Sequence, residues 1–407
     1  MSEHFKPQSS DDVRDIIRAA QEDKQTLEII GAGSKRGWGR PIGAAGVMDL
    51  SGLSGISLYE PEELVLSAAA GTSMTDIHQA LAEHHQQLAF EPPDFSPLFG
   101  GEAGLGTLGG VIAANLSGPR RLQAGAARDH FLGFAAISGR GEEFKSGGRV
   151  VKNVTGFDLS KLLAGSFGTL AAMTTVTIKV LPAPEKTRTV LVFGLDDESA
   201  IQALSDVLQG PFEANSAAHL PADIAAKSSV SYVASSGRSV TAIRLQGPAP
   251  SVEVRCQGVR ALWQDRGEVE ELHGHNSASL WQEIRDVSPL LNNPGDQIWR
   301  LSVPPADGAK LVEGLKSQFE CDAYFDWGGG LIWLAAASGL EQVGALARDA
   351  IAMPGGHATL LRASPERRLL NDVFQPQSAE LRRLSKTLKD NFDPDGVLNP
   401  GRMYEGI

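Results

Sequence analysis

Glycine and small hydroxyl residues crowd four short stretches of this 407-residue chain, and those stretches hold most of its chemical content. They are Gly31-Ala32-Gly33-Ser34-Lys35, Gly106-Thr107-Leu108-Gly109-Gly110, the run from Lys152 to Asp158, and the run from Gly165 to Leu170. A glycine lets the backbone approach a bulky anion with no Cβ in the way. Where glycine also takes a positive φ, successive amides can point into one concavity and hold a phosphate. Together the stretches outline a pocket for a dinucleotide, its diphosphate held by main-chain amides instead of cationic side chains. For Gly31–Lys35 taken alone, a glycine-rich tight turn is the competing reading.

Two nucleotide motifs are set aside. The P-loop pattern G-x-x-x-x-G-K-[ST] is absent. Gly104, Gly106 and Gly109 satisfy G-x-G-x-x-G literally, with Asp129 twenty residues beyond the last glycine. A Rossmann fingerprint must follow a buried strand. Here the approach is Glu91-Pro92-Pro93-Asp94-Phe95-Ser96-Pro97, a rigid loop, so a nicotinamide site is rejected. A helix opening at Thr107 could still offer its N-terminus to a phosphate.

Other chemistry-bearing residues read as structural. Arg128 and Asp129 suit an internal ion pair, while Lys152, Asn153 and Asp158 suit capping and turns. His273-Gly274-His275 sits in a polar setting and reads as a loop, and His357 follows two glycines. No catalytic base can be named, and no metal-binding constellation is present. Cys256 and Cys321 lack C-x-x-C spacing, which speaks for a reducing compartment and against an iron–sulfur cluster or zinc site in this chain.

Composition narrows the class further. Hydrophobic residues at 42% and charged residues at 21% describe an ordered globular protein. The 49 acidic against 37 basic side chains give a net charge of −12, which argues against a nucleic-acid partner. The N-terminus has no apolar core of a secretory signal, so a cytoplasmic protein is expected, with peripheral attachment through partners left open. The apolar run Leu162–Leu181 is broken by threonines, glycines and Lys179, and predicts a helix end, a turn and a buried strand instead of a membrane span.

The elements that must position these residues divide near residue 183. Before it, Ser10 caps a helical pattern, and short strands are expected at Thr26–Ile30, Gly46–Leu50, Gly55–Tyr59 and Leu64–Ala69. A helix follows at Met74–His85. Beyond Pro184, strand-like runs at Thr189–Phe193, Ser239–Gln246, Gln297–Val303 and Leu331–Ala337 alternate with helical ones. That alternation predicts an α+β domain with a largely antiparallel sheet under helices. The expected division is a cofactor domain over 1–183, a second α+β domain over 184–372, and a tail over 373–407 returning to the first.

With these residues assembled, the chain resembles the FAD-binding fold of the vanillyl-alcohol oxidase (PCMH) type, which fixes the dinucleotide as FAD. The order Gly31–Ser34, Gly106–Asn115, Gly118-Pro119-Arg120-Arg121, Lys152–Asp158, Gly165–Leu170 and Phe392–Met403 is shared with it. Within that superfamily, Gly118–Arg121, Lys152–Asp158, Asp326–Gly330 and Gly355–Thr359 most resemble the FAD-binding E subunits of glycolate oxidase complexes.

The resemblance implies contacts to the diphosphate from Gly31, Ala32, Gly33, Ser34, Lys35, Gly106, Thr107, Leu108, Gly109 and Gly110. It places Ala113 and Asn115 near the flavin, main-chain contacts around Ala172 at the adenine, and Asn399 to Arg402 closing over the flavin. Covalent members carry a His near the first glycine loop; Ser34 and Lys35 stand there instead, implying non-covalent FAD. The implied partners are a sister FAD-linked dehydrogenase subunit and an iron–sulfur subunit. The His-rich H-x-G-D-G-N-like run of relatives that oxidise 2-hydroxy acids is missing, which implies a chain that holds FAD for electron transfer or assembly. Two rivals stay open. One is a self-sufficient 2-hydroxy-acid dehydrogenase with Arg120, Arg121 or Arg362 clamping a carboxylate. The other is a scaffold with a decayed flavin pocket, suggested by Phe167 and Ala171.

Overall fold

The computed structural model describes residues 3–148 and 157–407. Lys152 and Asn153 therefore lie outside the described residues. The chain forms two units: residues 1–117, 125–183 and 376–407 make the first, residues 118–124 and 184–375 the second.

The first unit holds a three-stranded parallel sheet in the order Glu3–Phe5, Gly46–Asp49, Leu27–Ile30. Beside it in sequence is a five-stranded antiparallel sheet ordered Ile56–Glu60, Val65–Ala69, Ala171–Lys179, Phe131–Ser138, Glu143–Gly147. The helix Ser10–Glu22 starts one residue earlier than expected, because Ser9 and Asp12 cap each other reciprocally. Its buried residues Val13, Ile17 and Ala20 pack with Leu27, Met48 and Leu398. The C-terminal tail adds to the parallel sheet: Leu27 N donates to Val397 O at 2.7 Å, and Asn399 N to Leu27 O at 2.9 Å.

The expected helix–turn–strand after Leu162 is present as Leu159–Leu163 and Ala171–Lys179. Asp158 caps that helix through Lys161 N, as its position suggested. Among the described residues no helix is long and apolar enough to cross a membrane.

The second unit is α+β, built on an eight-stranded antiparallel sheet. Its order is Val269–His273, Lys186–Phe193, Val240–Gly247, Ser216–Leu220, Cys321–Asp326, Leu331–Ala336, Gln297–Ser302, His357–Arg362. Four of these strands carried weak sequence signals. Ser216–Leu220 is small and fully buried, and Val269–His273 is an acidic run along the sheet edge. His273 therefore ends a strand and His275 lies in the helix Gly274–Asp286; the expected loop is replaced by this junction, with His273 Nε2 3.2 Å from Glu271. Cys256 and Cys321 are free thiols, pushed up to about 12 and about 11 by burial.

Candidate cofactor site

A cleft opens in the first unit where the parallel sheet meets the helix Leu108–Ala113. Of the expected residues, Gly31, Ala32, Gly33, Ser34, Lys35, Thr107, Gly109, Gly110, Ala113, Asn399 and Arg402 line it.

The first glycine loop continues the strand Leu27–Ile30 and turns at Gly33, whose φ is +76°. The amides of Ala32, Gly33, Ser34 and Lys35 have no protein acceptor among the described residues. Donors left open in a concave wall are what a diphosphate requires. The wall opposite is close: a Cβ on Gly31 would collide with the Thr107 side chain.

The second glycine stretch acts differently from expectation. Leu108 N donates to Thr72 O at 3.0 Å, Gly109 N to Ala70 O at 2.7 Å, and Gly110 N to Thr107 Oγ1 at 3.3 Å. These amides are committed to the protein, so this stretch shapes the wall. Gly109 is needed because a Cβ there would lie 2.8 Å from both Ala70 Cβ and Ala70 O.

A cation also enters the cavity, contrary to the expectation of amides alone. Lys35 Nζ donates to Ser34 Oγ at 3.0 Å and reaches towards Gly110. Burial pushes the Lys35 ammonium down to about 8, with Asp94 opposing the shift. A second charged group, Arg402, bonds Lys35 O and Arg36 O at 3.3 and 3.0 Å and pairs with Glu28 at 3.4 Å. Glu28 also pairs with Arg36.

Four expected contacts lie off the cavity lining. Leu108 is fully buried in the core, and Gly106 O accepts Met74 N at 2.8 Å. Asn115 takes φ +49° and its Oδ1 accepts Arg128 N at 3.0 Å. Ala172 pairs with Ile137 and faces the core, whereas its neighbours Ala171 and Met173 line the cavity. In a strand, successive side chains alternate between faces, so the Ala172 side chain points away from the wall that its neighbours form. Arg128 and Asp129 form no ion pair with each other: Asp129 Oδ2 accepts Ala126 N at 2.8 Å and fixes the short helix Ala127–His130.

The sequence reading missed Ile29, Ile30, Arg36, Leu50, Ala70 and Ala114, together with Phe167 and Gly168 as lining residues. Phe167 holds φ +53° and packs edge-on against Trp38 at 4.9 Å. A non-glycine residue in that region is uncommon, and sequence alone does not display it. No His, Cys, Tyr, Asp or Glu lines the cavity among the described residues. Nor do three or more His, Cys, Asp or Glu side chains converge anywhere in them.

Residues 4–147 match the family model described as an FAD binding domain. The fold is that of p-cresol methylhydroxylase, whose solved structure superposes with a TM-score of 0.74 at 15% identity, covering 99% of this chain and 88% of that one. The FAD-binding family match and the relatives that follow define an FAD-dependent oxidoreductase. The glycolate oxidase subunit GlcE of Escherichia coli (strain K12) is 35% identical over 95% of each chain. The glycolate oxidase subunit GlcD of Bacillus subtilis (strain 168) is 24% identical over 98% of this chain and 88% of its own. The chain belongs to the family of FAD-binding glycolate oxidase subunits that GlcE represents.

Proposed function

We propose that this chain is the FAD-holding subunit of an assembly that oxidises glycolate to glyoxylate, serving electron transfer or assembly while a sister FAD-linked subunit meets the hydroxy acid. An iron–sulfur subunit receives the electrons. When bound, FAD supplies the two-electron chemistry; the protein supplies placement, exclusion of water and electrostatics.

The observation that carries this division of labour is the cavity's inventory. Oxidising a hydroxyl needs a general base within hydrogen-bond reach. The described lining offers Lys35, Arg36 and Arg402 as its only ionisable side chains, and the two arginines stay protonated. Lys35 is bonded to Ser34 beside the four open amides, a position suited to holding the diphosphate. With no His, Cys or Tyr on the wall among the described residues, the flavin is held without a covalent bond. Asn399 and Arg402 hold the tail against the first glycine loop and close the site.

The test uses the flavin-loaded chain alone, mixed with glycolate without oxygen while the oxidised-flavin absorbance is followed. Persistence of that absorbance, followed by its loss when the sister subunit is added, supports the reading. Rapid bleaching by the isolated chain overturns it.

A further inference from the structure

Lys35 is the one lysine on the lining of the cofactor cleft among the described residues, and it is held differently from other lysines of the chain. Lys227, Lys386 and Lys389 each donate to a carboxylate, those of Asp322, Asp390 and Asp393. Lys35 Nζ donates instead to the Ser34 hydroxyl at 3.0 Å. A Cβ on Gly110 would lie 3.3 Å from Nζ, so that glycine leaves the head group its space. The side chain is neither sealed off nor in bulk water: Lys35 is partly exposed and shares the lining with Leu50, Ala70, Phe167 and Met173.

An ammonium in such a place loses hydration, and a hydroxyl partner compensates less than a carboxylate does. Burial draws Lys35 down to about 8, with Asp94 opposing. Glu28 is already paired with Arg36 and Arg402. Near neutral pH a share of the molecules therefore carries a neutral amine, which is the nucleophilic form.

The same loop offers a seat for an anion. The amides of Ala32, Gly33, Ser34 and Lys35 have no protein acceptor among the described residues, and Arg36 and Arg402 add positive charge to the lining. A nucleophilic amine beside an anion seat selects one class of reactant: an aldehyde that carries its own negative charge.

We propose that in the flavin-free chain Lys35 captures anionic aldehydes as an imine, their phosphate or carboxylate resting on the open amides. This rests on the reading of the cleft as the FAD site, since the captured aldehyde takes the seat of the diphosphate and competes with FAD. Nζ bonds to the aldehyde carbon, and both hydrogens of the neutral amine leave with the carbonyl oxygen as water. A C=N bond replaces C=O, with no oxidant or reductant involved. Ser34 Oγ, bonded to Nζ, is placed to pass one of these protons. Glyoxylate, the product of the proposed assembly, is itself an aldehyde with a carboxylate. A chain that has lost its flavin is thus open to blocking by product.

The experiment treats the full chain, stripped of FAD, with pyridoxal 5′-phosphate, with glyoxylate, and with acetaldehyde as the anion-free control. Borohydride then delivers hydride to the imine carbon and fixes the label, which peptide mass spectrometry locates. Labelling of Lys35 about tenfold or more faster than any other lysine, by either anionic aldehyde, supports the proposal. Reaction with only one of the two also supports it and tells which anion the amides take. In samples partly loaded with FAD the labelled fraction should equal the flavin-free fraction, which keeps the test decisive should the stripped chain unfold. Lys35→Arg keeps the charge and is expected to lose the fast label. Labelling of Lys35 no faster than of other lysines overturns the proposal. So does full labelling of the FAD-saturated chain, or acetaldehyde reacting there as fast as the anionic aldehydes. Flavin absorbance, read before labelling, tests the cofactor reading separately: fast labelling of a chain that never takes up FAD counts against that reading and not against the capture.

Discussion

Asn399 binds the main chain of Ile29 from both sides: Oδ1 accepts Ile29 N at 2.7 Å and Nδ2 donates to Ile29 O at 3.3 Å. The same amide nitrogen donates to Phe167 O at 2.7 Å, so one side chain spans two walls of the flavin cavity. Asn399 itself takes φ +43°, which asparagine tolerates better than most residues. Replacing it with Ala leaves buried backbone groups unpaired, at a cost of about 1–3 kcal/mol. Asn399→Ala is expected to lower the melting temperature and to weaken FAD in a flavin-fluorescence titration. An unchanged affinity would contradict the role given to the tail.

Lys35 gives the cofactor site a pH dependence of two opposite signs. Its folded value of about 8 lies below the ordinary 10.5, because burial disfavours the ammonium. Between those values the unfolded chain binds more protons than the folded one, so stability of the cofactor-free protein rises as pH rises from about 8 towards 10.5. FAD affinity moves the other way, since a neutral amine no longer attracts the diphosphate. Lys35→Met is expected to flatten both profiles and to weaken FAD about tenfold at neutral pH. Melting curves of cofactor-free protein and equilibrium dialysis of FAD across this range check both limbs.

Gly31 and Thr107 are expected to couple. A Cβ at Gly31 meets Thr107, whose hydroxyl caps the helix Leu108–Ala113. Gly31→Ala therefore forces the wall apart, and Thr107→Ala alone costs about 1 kcal/mol through the lost cap. The double variant should be less destabilised than the sum of the two, as expected for residues in contact. Additive denaturation midpoints would show that the loop relaxes without touching Thr107.

Lys389 anchors the last helix from inside. Its Nζ donates to Thr169 O and Leu398 O at 2.7 Å and to Asp393 at 2.5 Å, with both charged side chains nearly or fully buried. Removing one partner of such a pair costs about 3–5 kcal/mol. Lys389→Met should lower the urea midpoint by a corresponding amount, and Lys389→Met/Asp393→Leu should recover part of it. Failure of the double variant to recover would mean that the bonds from Lys389 to the Thr169 and Leu398 carbonyls, not the charge pair, carry the stability.

The glycine loops, the N-caps at Thr107 and Asp158, and the second unit's longer strands were legible because each rests on local chemistry. Side-chain facing was not. The main chain around Ala172 was expected at the cofactor, but which side chains of that strand line the cavity, Ala171 and Met173, was not readable, since successive residues face opposite sides. The commitment of the Leu108 and Gly109 amides to Thr72 and Ala70 depends on a crossing that no local pattern encodes. Trp327 was equally hidden: its neighbours Asp326 and Gly328–Gly330 could be noticed in sequence, but Arg300 and Arg121, which stack on its ring, come from about 27 and 206 positions upstream.

Residues 118–124 interrupt the first unit to join the second, and residues 376–407 come back after it. Neither unit is thus a single continuous stretch of polypeptide. Truncating at residue 183 would strip the leading fragment of its last strand-like segment, Val397 to Asn399, and would deprive the trailing fragment of Arg121. Expression of either half alone is predicted to yield insoluble material, whereas co-expressing both halves could restore a complete protein by complementation.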